Sequence, residues 1–288
     1  MTKRILIQLD SDLHPSSFDS IVAIDSGVDH LLRYNGVQAT SVQPIVHGAM
    51  FTRGGDDLRH TALFIGGSDV NAAERLLSAC KDSFFGSIRV SLMLDANGCN
   101  TTASAAVVTA GRHCELADSK AVILGGTGPV GRRVAQLLAS NGTQVAITSR
   151  SLERAQSACN EVLQKVPDAD VIPLDLASGD QLAESLQGVQ IVIGCGAPGI
   201  QLIDEKTLAS LESLRVVIDL NAVPPSGIGG LAVTDKAAPL GHGVGYGAIG
   251  VGGLKMKIHR AAIRMLFESN DRVLETEEIY AIAKSIGE

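Results

Sequence analysis

The chain has 288 residues, 45% hydrophobic, 3% aromatic and 19% charged, with no tryptophan and a formal net charge of −7. That size supports one large or two medium domains with real cores, and an acidic surface poor in aromatic rings excludes a general nucleic-acid binder, which needs a basic footprint and stacking platforms. Cysteines at 80, 99, 114, 159 and 195 form no C-x-x-C pair, so neither a disulfide framework nor a zinc knuckle is expected, and reduced thiols in a cytosolic protein are the reading.

Residues 4–9 (RILIQL) read as a first strand, because the apolar run is too short for the core of a signal peptide. No later apolar run approaches a membrane span. Helical and strand patterns then alternate: helix over 15–26, strand over 29–34, helix over 40–51 with Pro44 in its first turn, strand over 60–67, helix over 69–84 and strand over 88–94. Residues 95–113 (DANGCNTTASAAVVTAGRH) begin polar and become a small-residue helix, with Asn100, Thr101 or Thr102 as cap candidates. From Lys120 the alternation is regular. Strands are expected over 120–126, 144–150, 169–176, 189–196 and 215–221. Helices are expected over 128–142, 151–166, 179–188 and 204–214. The glycine-rich 224–230 and 241–253 read as loops, and 254–285 as helical. The pattern predicts an α/β protein. A C-terminal Rossmann-type, doubly wound parallel sheet, residues 99–253, binds the dinucleotide. A smaller N-terminal α/β domain comprises 1–98 plus 254–288, and the active site is expected in the cleft between the two.

Residues 126–131 (GTGPVG) match G-x-G-x-x-G between a strand and a helix. Gly126 is assigned the tight turn, Gly128 the close approach of the pyrophosphate and Gly131 the helix–strand packing. Thr127, Pro129 and Val130 complete the loop, and the helix N-terminus offers free N–H groups. An NAD enzyme places an acid about 20 residues further on. Here that position holds Thr148, Ser149, Arg150 and Ser151, with no acid until Glu153. Arginine's fork of donors suits a 2′-phosphate, so NADP is favoured over NAD. A solvated surface arginine is the competing reading. Cys195, Gly196 and Ala197 end the fourth strand where backbone lines the nicotinamide ribose, and Cys195 reads as a packed small residue because no histidine is placed beside it. Asn221 and Ala222 follow the fifth strand, where backbone groups would hold the carboxamide.

Four stretches together, MLDANGCNTTASAA, GGTGPVG, DLNAVPPSGIGG and GYGAIGVGGLKMKIHRA, resemble the NADP-dependent methylene-tetrahydromethanopterin dehydrogenases, over about residues 3–285. The resemblance implies hydride transfer from the methylene bridge of a reduced pterin to NADP, with methylene-tetrahydrofolate as a second candidate substrate. It also implies a pterin held between two domains, no metal, and a homo-oligomer. Two nitrogens stabilise the cation left on the carbon, so no dedicated base is needed and the protein mainly aligns two rings.

For the pterin, Phe18, Arg53, Asp95, Asn97 and Thr102 are the candidates. Asp95, Asn97, Thr101 and Thr102 serve equally well as helix caps. A phenylalanine in a helical pattern such as Phe18 is more often core, and Asp12 and Asp19 could steer the charged product but by default are solvated acids. Lys255 and His259, four apart on a helix face, are assigned the catalytic end of the site. Lys255 is cast as a donor to the pterin carbonyl rather than a base, because a cation beside the developing methenyl cation would oppose the reaction. Lys257 and Arg260 are assigned to a water-facing helix surface. Two other readings remain, a shikimate-dehydrogenase-like oxidoreductase and a non-catalytic NADP-sensing module.

Overall fold

The computed structural model describes residues 2–175 and 185–287. Two compact units divide the chain: Met1–Thr101 with Met256–Ile286, and Thr102–Lys255.

Unit 1 holds β1 (Ile5–Leu9), β2 (His30–Tyr34), β3 (Thr61–Ile65), β4 (Ser91–Leu94) and, from the far end of the chain, β12 (Val273–Leu274). They form one sheet in the order β12-β4-β3-β1-β2, every neighbouring pair parallel. All five residues of β3 are buried, as a parallel strand covered on both faces requires. The helices α1 (Ser17–Asp25), α2 (Gln43–Phe51) and α3 (Val70–Asp82) return the chain between strands. Ser16 caps α1 through Asp19 N, and Asp69 caps α3 through Ala72 N. Pro44 sits in the first turn of α2, where its missing N–H costs nothing.

Unit 2 orders its sheet β10-β11-β9-β8-β5-β6-β7. The strands are β5 (Lys120–Leu124), β6 (Gln144–Ser149), β7 (Val171–Asp175), β8 (Ile191–Gly194), β9 (Val216–Asp219), β10 (Lys236–Leu240) and β11 (Gly243–Tyr246). All pair in parallel except β10 with β11. Chain order runs outward from β5 to β7 on one side and from β8 on the other, the doubly wound arrangement. Helices α4 (Cys99–Gly111), α5 (Pro129–Ser140), α6 (Leu152–Lys165) and α7 (Glu205–Ala209) belong to this part of the chain, and the unit boundary falls within α4. The helix expected over 179–188 lies mostly outside the described residues.

Three expectations change. The glycine-rich 241–253 is not a loop: it supplies β11 and the first turns of α8 (Ala248–Met265). Its glycines answer close packing rather than flexibility, since a Cβ on Gly250 would lie 1.8 Å from Asp235 O. The segment 254–285 is not one helical run, because β12 interrupts α8 and α9 (Thr276–Gly287). The cap of α4 is none of Asn100, Thr101 or Thr102. Asp95 Oδ1 accepts from the backbone N–H of Asn100 (2.9 Å) and Thr101 (3.0 Å), and Oδ2 from Thr101 Oγ1 (2.7 Å).

Candidate functional site

In unit 2 the switch point lies between β5 and β8, and the loop leaving β5 is the glycine fingerprint. The left-handed residue of its turn is Gly125 (φ 65°), one position before the expected Gly126. A Cβ there would lie 2.6 Å from Gly196 Cα. Thr148, fully buried at the end of β6, steadies this turn: Gly125 N donates to its Oγ1 (3.0 Å) and Gly126 N to its carbonyl (3.1 Å). Gly131 packs the helix onto the loop, because its Cβ would fall 2.5 Å from Gly126 O. At Gly128 a Cβ would meet nothing within 4 Å. Gly128 is also the N-cap of α5, with no side-chain cap bond and no acid in the first turn. Thr127, Pro129 and Val130 are partly exposed beside it. Open backbone at an uncapped helix start is the geometry an anion requires, so these residues fit a dinucleotide pyrophosphate.

At the end of β6, Ser149 is nearly buried and accepts from Ser151 N (3.2 Å), while Ser151 caps α6 through Arg154 N (3.3 Å). Arg150 is exposed, and its guanidinium has no partner among the described residues. The other side of the switch point carries Cys195, Gly196 and Ala197. Burial and the nearby Asp219 carboxylate push the Cys195 thiol up to about 12, so it holds its proton and is no nucleophile. Cys195 N donates to Leu124 O (2.8 Å). Beyond β9 the side chain of Asn221 is already committed: Oδ1 accepts from Val223 N (3.0 Å) and Nδ2 donates to Pro225 O (3.4 Å). Its N–H is held by Asp219 as well (3.0 Å), so its carbonyl and the backbone of exposed Ala222 are the groups left for a ligand.

In unit 1 the switch point lies between β1 and β3, and their carboxyl ends carry Asp10–Ser11–Asp12 and Gly66–Gly67–Ser68. Buried Asp10 shapes the first loop by accepting from Asp12 N (2.9 Å) and Ser16 N (3.1 Å). Asp12 ties the two loops by accepting from both Ser68 N and Ser68 Oγ (2.9 Å each). Asp19 faces the same edge: a Cβ on Gly66 would lie 3.5 Å from Asp19 Oδ2 and from Asp10 Oδ2. This loop delivers Phe18 to the first turn of α1, 48% exposed rather than in the core. Asn97 adopts φ 52° and donates through its N–H to Gly67 O (2.8 Å), beside Asp95 at the end of β4. Phe18, Asp95 and Asn97 therefore share the carboxyl edge of the sheet.

The structure separates Arg53 from them. It follows α2, at the amino ends of the strands, and its Nη1 donates to His60 O (2.7 Å) just before β3. Thr102 begins the unit 2 side of α4 and is partly buried. Lys255 is partly buried on α8, whereas His259 is fully enclosed. The His259 ring stacks on Phe64 (centroids 5.7 Å apart, 19° between planes) and lies 6.3 Å from Phe18, with Nδ1 3.9 Å from Asp95 Oδ2. His259 and Asp95 are equally enclosed, so neither presents an exposed group at this edge as Phe18 and Asn97 do. Lys257 is exposed, but Arg260 is paired with Asp25 (3.0 Å).

Sequence reasoning missed Gly125, Asp10 and Asp219, and it set Thr148 beside the cofactor rather than under the glycine turn. Only Gly125 left a signal, the doubled glycine after the strand.

Fold and glycine cradle define a Rossmann-type nicotinamide-dinucleotide-binding protein, and residues 125–222 match the family model described as NAD(P)H-binding. Residues 17–97 match the model described as methylene-tetrahydromethanopterin dehydrogenase, N-terminal. Over 288 residues the chain is 43% identical to "Bifunctional protein MdtA" of Methylorubrum extorquens, spanning 99% of this chain and 100% of that one. It is 29% identical over 295 residues to the "NAD(P)-dependent methylenetetrahydromethanopterin dehydrogenase" of the same organism, spanning 99% of each. The chain belongs to the methylene-tetrahydromethanopterin dehydrogenase family. Among solved structures, shikimate 5-dehydrogenase of Listeria monocytogenes shares the fold at TM-score 0.55 and 13% identity, over 97% of this chain and 96% of that one. Quinate dehydrogenase of Corynebacterium glutamicum does so at 0.54 and 16%, over 98% and 99%.

Proposed function

We propose that the chain oxidises the methylene bridge of methylene-tetrahydromethanopterin to the methenyl form with NADP, and that it also accepts the tetrahydrofolate analogue. The observation that carries this reading is one chain holding both the family's N-terminal unit and an open glycine cradle at Gly128. Unit 2 would bind the dinucleotide through the backbone of 125–131 and of Cys195, Gly196, Ala197, Asn221 and Ala222. Unit 1 would bind the pterin through Phe18 and Asn97, on the loop that buried Asp95 ties to the start of α4. A bound nicotinamide supplies the hydride acceptor. The protein's own work is alignment and exclusion of water, because the departing hydride leaves a cation shared by two nitrogens and no proton has to move. The homo-oligomer stays within this proposal on the family resemblance, and the cytoplasmic location on the cysteine pattern. No described helix is long and apolar enough to cross a membrane.

NADP is preferred to NAD in this reading because Arg150 is exposed and uncommitted where an NAD site carries an acid. A reaction of shikimate type would need a lysine and an acid to move a hydroxyl proton. Lys81 ends α3, at the amino ends of the strands, and is paired with Glu275, while Lys3 is paired with Asp29.

The test mixes the protein with methylene-tetrahydromethanopterin and NADP and follows the reduced-nicotinamide and methenyl absorbances. Both should rise together. Binding of NADP without either signal would favour the sensing module. Arg150→Ala should raise the KM for NADP about tenfold to a hundredfold, the loss of one charge-assisted contact, and leave that for NAD unchanged. Equal values in variant and wild type would remove Arg150 from the site.

A further inference from the structure

The loops at the nicotinamide end of unit 2 rest on a carboxylate that hydride transfer does not use. Asp219 closes β9 and is 2% exposed. Its Oδ1 accepts from Asn221 N (3.0 Å) and its Oδ2 from Ile228 N (3.1 Å). The chain from 220 to 228 thus leaves the strand, turns, and returns to the same carboxyl group. Two glycines make room for it: a Cβ on Gly194 or on Gly227 would lie 3.1 Å from Oδ1.

A second loop is fastened to the first. Leu202 N donates to Gly227 O (2.7 Å), and Gly229 N to Ile203 O (2.9 Å). At its other end this loop carries Gly196, whose Cα is the atom that a Cβ on Gly125 would meet. A continuous set of contacts therefore runs from the glycine cradle through 195–203 and 220–228 to Asp219.

Burying a carboxylate is costly, and burial indeed pushes the Asp219 carboxyl above its ordinary range against the pull of its backbone donors. Its shape accounts for its presence. Two equivalent acceptor oxygens take N–H groups from both ends of the loop. Asparagine would turn an NH2 towards one of those donors, and glutamate would need space that Gly194 and Gly227 do not leave.

We propose that Asp219 is a positioning residue of the dehydrogenase, setting the 220–228 loop against the 195–203 loop and thereby the place of the nicotinamide ring. The proposal rests on the dinucleotide site described above. Asp219→Asn and Gly227→Ala, the second crowding Oδ1 without altering the acid, are compared with wild type. Three quantities are read: kcat, affinity for 2′,5′-ADP (the adenosine end alone), and the emission shift of bound NADPH. In both variants kcat should fall about tenfold to a hundredfold, the range expected of a misplaced ring, while 2′,5′-ADP affinity stays within about twofold. The emission shift should shrink. Wild-type kcat in both variants overturns the proposal. So does a parallel loss of 2′,5′-ADP binding, which would mean that Asp219 merely holds unit 2 folded. If the wild type turns over no pterin, the proposed reaction fails by itself. Asp219 is then judged on NADPH emission, and an unchanged shift in Asp219→Asn overturns its role.

Discussion

Lys255 and Cys195 are the two side chains on which residue-scale chemistry divides. Lys255 is partly buried on α8, beyond the glycines of 250–253. Lys255→Ala should lose most turnover and keep near-normal NADP affinity, measured by steady-state kinetics and calorimetry. Wild-type turnover would return Lys255 to an ordinary helix surface. Cys195 lies beside the cofactor loops yet holds its proton to about pH 12. At pH 8 its alkylation should be at least about a thousandfold slower than that of a free cysteine, and Cys195→Ala should remain active. Asp219 titrates the other way from a paired carboxylate. Burial raises its folded value above the ordinary carboxylate value, so the folded chain binds the proton more tightly than the unfolded one. Its contribution to stability is greatest below that value and is lost as pH rises through the folded one. The stability of wild type relative to Asp219→Asn should therefore fall as pH is raised through the window above 3.8, in denaturant titrations at matched ionic strength.

At the scale of elements, the β5–α5 corner separates two uses of glycine. Gly131→Ala would drive a methyl group to 2.5 Å from Gly126 O, costing about 1–3 kcal/mol of stability along with dinucleotide binding. Gly128→Ala meets open space, so the fold should lose less than about 1 kcal/mol while dinucleotide affinity falls about tenfold or more. Thermal unfolding and binding measured together check both, and a harmless Gly128→Ala would argue against a phosphate at that helix start. This corner was legible because strand, glycines and helix form one local pattern. The start of α8 was not. Its glycines look like loop punctuation, and only the tertiary contact of Gly250 with Asp235 shows why they stand in a helix. Asp95 was likewise ambiguous, since the same carboxylate serves a cap or a ligand until its hydrogen bonds are seen. Arg53 was misplaced because sequence does not reveal which end of the sheet a loop occupies.

For the molecule as a whole, two units with separate sheets predict separable responses. Saturating NADP should slow amide exchange in 125–131 and 195–203 and leave the amides of β1 and β3 at their ligand-free rates. Protection spread evenly over both sheets would count against the division of labour. The alternation of strands and helices from Lys120 onward revealed the second sheet. The first sheet's edge strand escaped, because Val273–Leu274 is too short to carry a period.

That edge strand has a consequence for synthesis. Residues 102–255 are contiguous, so unit 2 can fold as soon as it emerges from the ribosome. Unit 1 cannot: β4 is finished at Leu94 but waits through the whole of unit 2 for β12 to cover its open side. A chain that ends near residue 255 should expose that bare strand edge, a template for mispairing.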